Sequence, residues 1–160
     1  MRMSLSGDDM HGKIIEVSKI ALKPDEWVDE SEFYKGFVGW IADYVDTDLI
    51  TEDIRNGIIE AFLRNFGSFT ENHDNNISFV VHDGFKEKYE KQRIEYMRDA
   101  VASADTAAEI YSAFYMYFED MFGLYIYEKG YGLIPMVRWI IEYLEEDCTY
   151  YFGSVIDYHW

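Results

Sequence analysis

The chain has 160 residues, 49% hydrophobic and 18% aromatic, enough apolar material to bury a real core in one domain and too much for intrinsic disorder. Its 14 Lys and Arg face 31 Asp and Glu, a net charge of −17 that excludes a basic-patch nucleic-acid binder and disfavours an anionic membrane surface. The single cysteine, Cys148, excludes an intrachain disulfide and fits a reducing compartment. There is no apolar run of about 20 residues and no signal-peptide core, so the expectation is a cytoplasmic protein without membrane contact.

In chain order, residues 1–12 read as a flexible lead-in to a single globular domain over 13–160. Ile14, Ile15, Val17 and Ile20 form a short apolar segment closed by Pro24, and an acidic connector around Trp27 follows. Phe33, Phe37, Trp40, Ile41 and Tyr44 recur at helical spacing and predict a helix over 31–44. Thr51 is a candidate N-cap, with Glu52 and Asp53 in the first turn of a helix carrying Ile54, Ile58, Ala61, Phe62 and Phe66 on one face. Gly67 is its natural stop, and Ile77 to Val81 reads as a strand.

A third helix is predicted over 85–101. A fourth starts at Thr106, where Glu109 three residues on completes a capping box. Its aromatics, Tyr111, Phe114, Tyr115, Tyr117, Phe118 and Phe122, cover more than one face, which reads as a central helix buried on several sides. Residues 125–127 suit a strand. Pro135 opens a fifth helix with Val137, Ile140, Ile141 and Leu144 as its core face. Residues 149–158 read as one or two strands. The expected fold is α+β and mainly helical, with about five helices and a small sheet from short strands near 14–20, 77–82 and 149–158.

The charge is unevenly placed. Residues 24–85 carry a net −11 and residues 99–160 a net −9, while 86–98 (Lys86, Lys88, Lys91, Arg93, Arg98) is locally +2. Glu142, Glu145, Glu146 and Asp147 crowd the end of the fifth helix, against its dipole, and Asp43 and Asp46 are likewise ill placed at the end of the first. Local choices that oppose the fold are expected at functional surfaces. A charge of this size exceeds the roughly 2–8 that solubility requires of a small domain.

Sites for chemistry do not stand out. The four histidines, His11, His73, His82 and His159, lack zinc-protease spacing, although His73 and His82 flank the strand at 77–81 and could face one another. Cys148 follows three acidic residues, a poor setting for a thiolate. Ser68, Ser78 and Ser154 lack a nucleophile-elbow context, the glycines form no phosphate loop, and Asp43 to Asp48 lacks the rest of a calcium loop. No catalytic residue, metal or cofactor is therefore assigned.

The expectation is a non-enzymatic acidic inhibitor that neutralises a basic nucleic-acid-handling protein. Its first form is an immunity protein against a nuclease-type toxin; a nucleic-acid mimic acting in anti-restriction or as an anti-CRISPR protein is the alternative. A carboxylate and metal-dependent enzyme, or an adaptor with an aromatic interface, stand behind these. The expected partner-binding residues are Asp43, Asp46, Asp48, Glu142, Glu145, Glu146, Asp147, Tyr150, Tyr151 and Trp160. Tyr150, Tyr151, Tyr158 and Trp160 are expected to be partly exposed, because Tyr and Trp serve interfaces well.

Overall fold

The computed structural model of the chain describes residues 11–34, 44–46, 50–119 and 123–159. Its centre is a seven-stranded mixed sheet, not the small sheet of short strands that the sequence suggests. β1 (His11–Ser18), β2 (Tyr44–Asp46), β3 (Thr70–His73), β4 (Ser78–Val81), β5 (Leu124–Glu128), β6 (Gly132–Pro135) and β7 (Thr149–His159) make it up. The order is β3-β4-β7-β1-β5-β6, and β2 pairs with the far end of β7. β1 and β5 run parallel, and the other pairs are antiparallel.

β7 explains the underestimate. Its 11 residues form one continuous strand with β1 along one edge and both β4 and β2 along the other. A segment paired on both edges and covered on both faces has no polar side to alternate with, so it loses the period-2 signal. β2, β3 and β6 are three or four residues long, and β3 (Thr-Glu-Asn-His) is carried by pairing with β4 rather than by its own propensity. His11 and Gly12, expected in the lead-in, open β1, where a Cβ on Gly12 would fall inside the Tyr158 ring.

Among the described residues five α-helices accompany the sheet: α1 (Ser31–Tyr34), α2 (Glu52–Leu63), α3 (Phe85–Ser103), α4 (Ala107–Phe114) and α5 (Met136–Glu142). Thr51 caps α2 by accepting the Ile54 N–H, and Thr106 and Glu109 close the predicted capping box on α4. Gly67 (φ 56°) kinks a 3-10 turn over Arg64–Phe69. Of the helix predicted over 31–44, α1 covers the start, Tyr44 belongs to β2, and 35–43 lie outside the described residues.

Alternation along the strands divides the core in two. Ile15, Val17, Ile126, Tyr150 and Phe152 face α2, α3 and α5, and Phe62, Phe66, Phe79 and Trp139 pack around them. Ile14, Tyr125, Ile156 and Tyr158 face the other way and are covered by Val28 and Phe33.

α4 is not the central helix its aromatics suggest. Of its residues only Ala113 is buried, while Tyr111 is 64% exposed and Phe114 43%. A π-helical turn, Tyr115–Glu119, continues it, and Met116 there is 65% exposed. α3 likewise buries only Phe85 and Tyr89 in its first turns, so its second half runs past the core and pairs with α4 as a two-helix arm.

Candidate partner-binding surface

The acidic segment 142–147 shows how the tertiary fold reassigns charge. α5 ends at Glu142, so Glu145, Glu146 and Asp147 lie in the turn that leads into β7. That turn meets the start of α3. Glu146 Oε1 accepts the Lys86 backbone N–H at 2.6 Å, and Lys86 Nζ donates to the Leu144 carbonyl at 2.9 Å. A carboxylate at the wrong end of α5 thus serves the positive end of α3, where it is favourable.

The neighbours are engaged as well. Glu142 pairs with Arg138 at 2.9 Å, and Glu145 with Lys19. Asp147, at φ 57°, donates its N–H to the Val81 carbonyl and places Oδ1 3.3 Å from His82 Nδ1. These four expected binding residues are therefore committed in large part to internal contacts.

The aromatic expectations divide. Tyr150 and Tyr158 are fully buried, not partly exposed. Tyr150 stacks on Phe79 and meets Trp139 edge-on, and its hydroxyl accepts the Glu145 N–H at 2.9 Å. Burial pushes that phenol well above its ordinary pKa. Tyr158 donates to the Gly123 carbonyl at 2.7 Å. Tyr151 is half-buried. Asp46 lies in β2 opposite Asp157, which pairs with Lys13 at 2.9 Å. Asp43, Asp48 and Trp160 lie outside the described residues.

His82 and His73 do approach a common group. His82 Nε2 is 3.2 Å from Glu71 Oε2, and His73 Nε2 is 4.0 Å from Glu71 Oε1. Among the described residues no three His, Cys, Asp or Glu side chains converge as metal ligands would. Cys148 is half-buried, and burial raises its thiol pKa.

Sequence patterning did not point to the cluster around Glu16 on β1. Glu16 is 5% exposed, and its Oε2 accepts the Val28 N–H at 2.9 Å and the Ser154 N–H at 2.8 Å. A bulge between β1 and β7 presents Ser154 to it, and Gly153 lets the strand pass where a Cβ would strike the carboxylate. Burial still outweighs these bonds and raises the Glu16 pKa. Arg55 donates Nε and Nη2 to the Gly153 carbonyl at 3.0 and 2.8 Å and lies 4.5 Å over the Trp27 ring. A lone acid inside Ile14-Ile15-Glu16-Val17 is the sequence signal that could have found this cluster.

Glu128 is the counterpart on the opposite sheet face. It is 4% exposed and accepts the Trp139 Nε1–H at 2.8 Å, and burial raises its pKa too. The two buried carboxylates lie on opposite faces of the sheet.

The Trp27–Arg55 contact also gathers charge. Asp25 and Glu26 flank Trp27, and Glu52 and Asp53 occupy the first turn of α2 just before Arg55. The side chains of Asp25, Glu32, Glu52 and Asp53 are exposed and make no hydrogen bond or ion pair among the described residues, while Arg55, which feels the charge of Glu52, is turned inward to backbone carbonyls. The 24–32 segment and the start of α2 thus both carry exposed carboxylates.

No helix among the described residues is long and apolar enough to cross a membrane. Comparison of the chain with protein-family models, curated proteins and solved structures found no match.

Proposed function

We propose that the protein is a non-enzymatic acidic inhibitor that binds and neutralises a basic nucleic-acid-handling protein, acting as an immunity protein against a nuclease-type toxin. The observation that carries the reading is the end formed by the 24–32 segment and the start of α2. There the side chains of Asp25, Glu32, Glu52 and Asp53 are exposed and make no hydrogen bond or ion pair among the described residues, and Arg55 is turned to backbone carbonyls. Exposed negative charge steers association with a surface of opposite sign. The setting of Glu142 to Asp147 moves the proposed contact away from that segment, whose carboxylates already serve the fold.

The test is the rate of association with a basic nuclease at rising ionic strength. The on-rate is expected to fall at least about tenfold between low and physiological salt, as screening shortens the reach of the field. Reversing Asp25, Glu32, Glu52 and Asp53 to lysine should abolish inhibition with the circular dichroism unchanged. A salt-independent on-rate, or inhibition that survives the fourfold reversal, would refute the reading.

A further inference from the structure

A cleft of about 330 Å³ lies between the 3-10 turn Arg64–Phe69 and the first half of α3. We propose that it binds a small phosphate-bearing ligand with a planar ring, of the mononucleotide class. Acidic residues outnumber basic ones by 31 to 14 in the chain, yet the lining holds Arg64, Lys88 and Arg93 and no carboxylate.

Two of these cations are positioned by aromatic faces instead of acids. Lys88 Nζ stands 5.2 Å from the centre of the Phe69 ring, and the Arg93 guanidinium 4.6 Å from that of Tyr89. A ring face holds a cation in place and leaves its N–H donors available. Arg64, Lys88 and Arg93 make no side-chain hydrogen bond or ion pair among the described residues, and Arg93 Nε is buried without an acceptor.

The neighbouring Lys86 shows the contrast, since its backbone and side-chain donors are both taken by the 144–146 turn. The positive character of the cleft therefore comes from side chains and not from the start of α3. Two guanidinium forks and an ammonium suit a phosphate, and the half-buried Phe69 offers apolar surface to a ring beside it. The volume falls at the small end of ligand sites, and the −17 charge disfavours a polyanion. The inference does not depend on the acidic face, and its failure leaves the proposed function standing.

The experiment is titration of the full chain with AMP, adenosine and inorganic phosphate, followed by amide NMR in phosphate-free buffer. AMP is expected to shift the amides of Lys88, Gln92 and Arg93, with adenosine and inorganic phosphate each at least about tenfold weaker. Arg93→Gln, and separately the exposed Arg64→Gln, should weaken AMP about tenfold with the remaining spectrum intact. Absence of shifts at about 10 mM AMP, a reach of only very weak affinity, overturns the proposal. So does adenosine or inorganic phosphate matching AMP, or unchanged AMP affinity in both variants.

Discussion

The sheet-centred core and the α3–α4 arm are both rich in large apolar residues, yet only one of them is buried. Tyr125, Tyr150 and Tyr158 are sealed between layers, and Tyr111, Phe114 and Met116 face outward. The core also buries carboxylates and satisfies them, with Glu16 on two backbone N–H groups and Glu128 on Trp139. The arm holds Ile94, Val101, Ile110 and Phe114 at 37–45% exposure. Apolar content and helical spacing thus establish that a face is greasy, whereas the neighbours available to it decide whether it is covered.

That contrast sets the scale of mutational effects. Trp139→Ala should be the most damaging single change, costing about 3–5 kcal/mol in urea unfolding, because a fully buried ring is lost and Glu128 is stranded. A loss below about 1 kcal/mol would mean that the core is looser than its ring contacts imply.

Glu16→Ala comes next. It leaves the Val28 and Ser154 N–H groups buried without an acceptor, at about 1–3 kcal/mol each. Glu16→Gln keeps one acceptor oxygen and exposes the pH dependence. The folded-state pKa of Glu16 is raised above 4.5, so the folded state holds the proton more tightly than the unfolded chain does. Its contribution is therefore most favourable at acidic pH and declines as pH rises from about 4.5 through the raised folded value. Subtracting the stability curve of Glu16→Gln from that of the native chain should reveal this decline. A difference that grows more favourable with rising pH would show that the bonds, and not burial, set the shift.

Smaller effects belong to the arm. Ile94→Ala and Val101→Ala should each cost no more than about 0.5–1 kcal/mol, because roughly half of each side chain is already in water. Amide exchange in α4 should be faster than in β7, since local opening of the arm disturbs little buried surface. Equal protection in the two would place the arm within the core's cooperative unit. Smallest of all, Glu142→Gln removes the exposed pair with Arg138 and should cost about 0.3–0.5 kcal/mol, vanishing in high salt.

Features written within a few residues were legible in the sequence. The Thr51 cap, the Thr106–Glu109 capping box and the extents of α2 and α3 depend on i to i+4 neighbours, and the structure keeps them to within a few residues. The rank of β7 as a doubly paired strand was not legible, because burial on both faces erases alternation. The acidic segment at 142–147 was read against the helix it follows, and its partner proved to be a helix some sixty residues earlier. The cations of α3 appeared as an interruption of the acidic pattern, and only the packing of α3 beside the 3-10 turn brings Arg64 to Lys88 and Arg93.

By itself, then, the sequence determined composition, net charge, the local caps and the faces that repel water, since all of these act over one or two turns of chain. The tertiary structure alone decided which greasy face is covered and which carboxylates are answered among the described residues. Those outcomes depend on the approach of segments distant in the chain, and burial and charge pairing act through space irrespective of sequence order.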